Sequence, residues 1–233
     1  MITIDNYLNS HYIGRSNWLR ATVLGANDGI ISISSLAIGV AAASTTREPI
    51  LLATVAGLVA GAISMAAGEY VSVSSQTDIE KADIEREAKE LKEMPELEMQ
   101  ILAQIYEKRG LKKDTAAQVA KELTETDALG THIRDELGIN EISQANPIQA
   151  ALASGASFTV GGILPLLVAL FAPVKPMEIL LYGFTIFFLI LLGAISAKTG
   201  GSSIKKAVIR ITVWGTIAMG LSAFVGFLFG INV

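Results

Sequence analysis

Residues 50–95 read ILLATVAGLVAGAISMAAGEYVSVSSQTDIEKADIEREAKELKEMP, and the fold turns on how that stretch divides. Its first part, 50–74, is long and apolar enough for a helix through a bilayer, which needs ~20 such residues. Its second part is dense with Glu, Asp and Lys. No Gly or Pro interrupts the chain between Val71 and Met94, so a single helix should leave the membrane and run on into water until Pro95 ends it. The stretch predicts a membrane span fused to a soluble helix.

Four other segments have the length and apolarity of spans: 21–43, 148–171, 177–197 and 204–231. Their connections are short, and Pro49, Pro147, Pro173 and Pro176 lie at or near the expected ends, where a missing amide is tolerated. Gly and Ala recur within the spans, which permits close helix–helix approach. Of the 233 residues 51% are hydrophobic and only 17% charged, and the mean hydropathy is +0.49. These features define an all-α protein: a five-span transmembrane helical bundle with a cytoplasmic helical insert between spans two and three. Residues 1–75 hold an N-terminal cytoplasmic segment and spans one and two, 76–146 the acidic helical insert, and 147–233 spans three to five. There is no cysteine, which excludes disulfides, thiolate metal sites and thiol catalysis. The polar N-terminus lacks the apolar core of a signal peptide, so the first span is expected to be retained.

Lys and Arg near span ends set the orientation. Arg15 and Arg20 precede the first span, and Lys198, Lys205, Lys206 and Arg210 flank the last turn. The other two turns carry only Arg47 and Lys175. The N-terminus and insert should therefore be cytoplasmic and the C-terminus outside.

Two carboxylates, Asp28 and Glu69, fall well within the expected spans, and an isolated charge at the bilayer centre costs at least ~3 kcal/mol. The spans offer them little basic partner. By residue count, Asp28, Met65 and Glu69 lie within about one helical turn of each other in depth. Met65 and Glu69 are four apart and share a helix face. Two carboxylates and a thioether can thus converge at one level, with Asn27, Ser32 and Ser64 as neutral oxygens nearby. Carboxylates suit hard and borderline divalent ions, and a thioether adds preference for softer transition metals. The competing readings are that Met65 only packs and that Glu69 only reaches the headgroups.

The insert has seventeen acidic and ten basic residues, a surface unsuited to nucleic acid and suited to cations. Past Pro95, helices are expected over 96–109, 114–125 and 127–137, punctuated by Gly110, an Asp127 cap and Gly138. Ile101, Leu102, Ile105, Val119 and Leu123 supply a modest core. Glu87 and Glu90 share a helix face, Glu80 and Asp83 precede them on a similar side, and Glu98 follows across the Pro95 corner. His132 and Glu136 are again four apart. Carboxylate pairs on facing helices with a histidine are how bundle-type iron and manganese sites are built. Glu-rich helices interspersed with Lys are also common as plain solvated faces.

The segments GANDGIISISSLAIGVAAA, GLVAGAISMAAGEYVSVSSQTDIEKADI, IYEKRGL and DALGTHIRDELGI resemble the vacuolar iron transporter family in its compact prokaryotic form, and the similarity runs in order over nearly the whole chain. The resemblance implies a five-span homodimer that moves ferrous iron, often also manganese, out of the cytosol in exchange for protons. It implies a path at the dimer interface lined by the first span, with Asp28 as its aspartate and Met65 as the methionine opposite. It further implies that the insert collects metal through Glu87, Glu90, Glu98 and Glu136. Two positions depart from the family pattern: Ile101 stands where another acid is expected, and His132 replaces a soft ligand. Glu80 and Asp83 stay as further candidates.

The expected function is therefore a divalent metal transporter of the cell (inner) membrane, with Fe(II) as substrate and Mn(II), Co(II) or Zn(II) compatible with the same ligands. No prosthetic group is called for. The alternative is a membrane-anchored metal sensor or interaction protein that carries no flux. An enzyme ranks last, since the chain has only His11 and His132 and lacks a Ser-His-Asp pattern.

Overall fold

The structure, a computed structural model, describes residues 16–139 and 146–230. The N-terminal segment up to Arg15, with His11, and residue 231 at the end of the last expected span lie outside them. Seven α-helices make up all the regular structure among the described residues: α1 Ser16–Ala43, α2 Arg47–Glu93, α3 Pro95–Lys108, α4 Lys113–Asp135, α5 Pro147–Phe171, α6 Met177–Thr199 and α7 Ile204–Gly230. Five of them, α1, α2, α5, α6 and α7, are long and apolar enough to cross a membrane. At 47 residues α2 is about 70 Å long, far more than the ~30 Å of a hydrocarbon core. Its uninterrupted course to Glu93 is what the Gly- and Pro-free run to Met94 predicts. The chain divides into two compact units, one of residues 1–70 with 147–233 and one of 71–146.

In the first unit α1 is the hub, packed against α5, α6 and α7. Small residues make this possible. A Cβ on Gly25 would lie 2.7 Å from the Ser154 carbonyl oxygen, and one on Gly29 would run into the Phe158 carbonyl. From the other side, Gly161 sits against the Ala26 carbonyl. Without a hydrophobic force between helices in lipid, such backbone-to-backbone contact is the main source of association. A buried hydrogen bond, 2.7 Å between the Ser34 and Thr185 hydroxyls, joins α1 to α6. At one end of the bundle Ala37, Ile38, Ile50, Ala169, Met177, Leu181 and Met219 form a closed apolar cluster. There Arg47 donates to the carbonyls of Leu170 and Ala172 at 2.7 and 2.6 Å, satisfying acceptors that the end of α5 leaves open. Pro165 lies inside α5 rather than at an end, and it is buried.

The membrane half of α2 packs inward through Leu58, which joins Ile33 and Phe158 in a second cluster. Its opposite face leaves Leu52, Val55, Val59 and Ile63 exposed.

In the second unit, the end of α2 is followed by α3 and α4. Leu102, Ala116 and Ala120 are fully buried, while Ile101, Ile105, Val119 and Leu123 are half-buried. The core is thin because its centre is polar: Glu87, Glu98, Thr131 and His132 are buried too. The helices expected over 114–125 and 127–137 are both present, following one another within α4 and separated by extended backbone at Asp127 (φ −159°, ψ 85°). Asp127 Oδ1 accepts the Gly130 amide at 3.0 Å, so this residue caps the second segment locally. The end of α4 is fastened to α3 by Asp135. Arg109 Nη1 reaches its Oδ1 at 2.5 Å and Nη2 its carbonyl at 3.0 Å, while the Tyr106 hydroxyl donates to Oδ2 at 2.9 Å. Burial would raise the Asp135 carboxyl, but hydrogen bonds from Arg109, Tyr106 and Arg134 hold it below the usual range.

Candidate metal centres

The insert gathers Glu87 from α2, Glu98 from the first turn of α3, and His132 and Glu136 from the end of α4. One donor atom from each lies within 4.8 Å of all the others. His132 is the centre of the group. Its Nδ1 is 2.9 Å from Glu87 Oε1, 2.9 Å from Glu136 Oε2 and 4.0 Å from Glu98 Oε2. Glu87 is 2% exposed, Glu98 3% and His132 0%, whereas the Glu136 side chain is 29% exposed, so Glu136 is the side open to solvent.

The electrostatics of this group are unbalanced. One imidazole carries at most a single positive charge, against three carboxyls. Only the Glu136 contact to Nδ1 has the geometry of a hydrogen bond; Glu87 Oε1 and His132 Nε2 are buried without a hydrogen-bond partner. Burial pushes the Glu87 carboxyl up, Glu136 pushes it further, and His132 opposes the shift. Burial and then Glu136 raise Glu98 in the same way. A divalent cation would resolve the conflict. Donors of a tetrahedral metal at ~2.1 Å lie about 3.4 Å apart, so the wider-spaced carboxylates would move in by roughly 1 Å to close the set.

The other acids of the insert are placed differently. Asp83 lies 3.4 Å from Arg86, which also reaches Glu90 at 3.9 Å, and Glu80 accepts a hydrogen bond from Gln76 at 2.9 Å. These are pairs along one helix face. Glu90 is near enough for its charge to raise both Glu87 and Glu98, but it contributes no atom to the four-residue group.

Within the bundle, Asp28 and Met65 line one cavity of about 220 Å³, together with Ser32, Ser64 and Phe158. Ser32 donates to Asp28 Oδ1 one turn along α1. Gly57 and Gly61 form the α2 wall, and Leu36 and Phe158 pack directly against them. Ser32, Leu36 and Ser64 are exposed, so the cavity opens on the side of the protomer. Glu69 is half-buried one turn beyond Met65 and is not among the lining residues. Asn27, expected to add an oxygen here, turns instead into a different cavity between α1, α6 and α7. The α5 side chain Phe158, which closes the back of the Asp28 cavity, carries no signal of that role in the sequence, since it reads as one more apolar residue of a span.

A helical membrane bundle that keeps a carboxylate and a thioether in one cavity, and carries a second buried acidic cluster, has the construction of a protein that handles cations. The VIT family model matches residues 19–227. The chain is 42% identical over 226 residues to the "Vacuolar iron transporter" of Acanthamoeba castellanii, covering 97% of this chain and 84% of that protein. It is 37% identical to "Vacuolar iron transporter homolog 1" of Oryza sativa subsp. japonica, over 95% of this chain and 78% of the relative. It is 32% identical to "VIT-like transporter 1b" of Glycine max, over 95% and 80%. The chain belongs to the VIT family.

Proposed function

We propose that this protein carries divalent metal, ferrous iron first and manganese second, out of the cytosol across the cell membrane in exchange for protons. The observation that carries this reading is the placement of the Asp28 carboxylate and the Met65 thioether in one cavity of an otherwise apolar bundle. The names of the relatives support iron as the substrate. The distribution of Lys and Arg supports a cytoplasmic insert and an external C-terminus. Two protomers pair so that their Asp28 cavities face each other, through the side on which Ser32, Leu36 and Ser64 are exposed.

In this scheme Glu87, Glu98, His132 and Glu136 collect metal from the cytosol, with Glu90, Glu80 and Asp83 adding negative potential around them. The ion passes along α2 by Glu69 to Asp28 and Met65. Protons entering from outside compete for the same carboxylate oxygens and release the ion there, coupling the two fluxes. Ferrous flux in proteoliposomes should be rapid with protein, near zero without it, and faster when a pH difference drives protons against the metal. Metal binding by the insert with no flux under any gradient would instead identify a membrane-anchored sensor.

The insert makes its own prediction. Glu87→Gln keeps the shape but removes a buried charge, and should weaken Mn(II) or Zn(II) binding by about 10- to 100-fold, as loss of even a supporting group at a metal site does. Because Glu87 and Glu98 are raised, they hold protons into a higher pH range than exposed carboxyls. Affinity should therefore fall as pH drops through that raised range. The sign for the metal-free fold is opposite: the two carboxyls favour folding below the ordinary carboxylate range, and that contribution is lost as pH rises through their raised values. Added divalent metal should raise the melting temperature of the full chain most at neutral pH, and calorimetry across pH 5–8 checks both trends.

A further inference from the structure

A second cavity in the bundle, of about 550 Å³, lies between α1, α6 and α7 at the α6–α7 connection. It is two-faced. Leu24, Ile31 and Trp214 give it apolar walls, and Asn27, Ser196 and Arg210 give it a polar end. Ser196 and Arg210 both lie within two helical turns of the connection, which Lys198, Lys205 and Lys206 flank on α6 and α7. Arg210 takes part in none of the ion pairs formed among the described residues, and the buried Asn27 Oδ1 lacks a hydrogen-bond donor. Trp214 and Leu24 are 66% and 53% exposed in the protomer, so the apolar side of the cavity faces outward from the bundle.

These features call for an amphiphile. A free inorganic anion would satisfy Arg210 but would leave the apolar walls bare, and a neutral hydrocarbon would leave Arg210 and Asn27 unanswered. Tryptophan beside a basic side chain is the usual furniture of the bilayer interface, and basic pockets between spans receive anionic headgroups. We infer that this cavity binds a phospholipid with an anionic, hydroxyl-bearing headgroup. Its phosphate is held by Arg210 and Ser196, a headgroup hydroxyl donates to Asn27, and one acyl chain lies along Leu24, Ile31 and Trp214. The site shares no lining residue with the Asp28 cavity, so its occupant lies apart from the proposed metal path.

Trp214 supplies the reporter. The chain has two tryptophans, so Trp18→Phe leaves Trp214 alone. In that background, full-length protein is placed in mixed bilayers in which either phosphatidylglycerol or phosphatidylcholine carries brominated tails. Brominated phosphatidylglycerol should quench Trp214 with about fivefold higher apparent affinity, the ratio expected for one basic side chain acting on an anionic lipid. Arg210→Gln should bring the ratio to about one, and Ser196→Leu, which fills the polar end, should weaken both lipids. Lys206→Gln, a cation beside the same connection that does not line the cavity, should keep the preference. Equal quenching by the two lipids in the parent protein overturns the inference. So does loss of preference in Lys206→Gln equal to that in Arg210→Gln, which would mean a diffuse surface attraction. Displacement of the lipid by millimolar inorganic phosphate also overturns it, since the cavity would then read a free anion.

Discussion

Asp28→Asn is expected to reduce divalent-metal flux in proteoliposomes by about 100-fold or more, at least the loss seen when a mere supporting partner of a metal ligand is removed. The substitution is close to isosteric. The asparagine carbonyl can still accept the Ser32 hydroxyl, and the cavity keeps its walls, so folding should be unaffected. What disappears is the negative charge, the one feature that Ser32, Ser64, Met65 and Phe158 cannot replace. A dehydrated divalent ion in an apolar bundle needs that charge far more than it needs the dipoles around it. Metal binding by the insert should be untouched, because its four ligands belong to another unit. Calorimetry on the same preparation therefore separates a blocked path from a damaged protein. Wild-type flux in Asp28→Asn would overturn the proposed route outright.

Met65 should behave differently. A thioether is a weak, soft donor, so its loss bears on which metal passes more than on whether any does. The sequence could suggest this pair because depth along a spanning helix follows from residue count alone. It could not suggest the wall opposite. Phe158 reaches the cavity from α5, and which way a span turns is set by packing between small residues, which leaves only a faint periodic trace. Asn27 makes the same point: it precedes Asp28 in the chain, yet one residue is 100° of helix rotation, and it opens onto the other side of α1.

The insert was more legible. Pro95, Gly110, Asp127 and Gly138 are local signals, and the chain obeys each of them: α2 stops just before Pro95, Gly110 and Gly138 adopt φ of +104° and +69°, and Asp127 caps. Spacing alone put Glu80 and Asp83 on a par with Glu87, since all lie on one side of a helix. The distinction between them is tertiary. Only the turn of helix at Glu87 is covered, by α3 and α4, and only there does burial convert a solvated acid into one that lacks a partner. The position of His132 at the centre of three carboxyls is likewise a product of where α4 ends against α3. The Arg109–Asp135–Tyr106 tie fixes that ending, and it joins residues too far apart in sequence for any helical spacing to show.

Gly29→Ala should be among the most damaging single-methyl substitutions in this chain, destabilising the bundle by about 3 kcal/mol or more, the upper range for overpacking a close contact. A Cβ there meets no flexible side chain that could swing aside. It meets the Phe158 carbonyl and, at 2.9 Å, the Gly162 nitrogen, both backbone atoms of α5. Relief requires α1 and α5 to separate, and the seam that includes Gly25 and Gly161 must open with them. Gly183→Ala on α6 is the matched control, since nothing lies within 4 Å of its added methyl. That variant should be neutral or gain about 0.5–1 kcal/mol, the ordinary benefit of Ala over Gly in a helix. Thermal unfolding of the two proteins in one detergent measures the difference, and equal melting temperatures would show that the α1–α5 contact is looser than described. The consequence for transport follows from chain order. Asp28 adjoins Gly29, so any shift of α1 away from α5 moves the carboxylate relative to Met65 on α2. Gly29→Ala protein that still folds should therefore lose flux as well, while metal binding by the insert stays at the wild-type level.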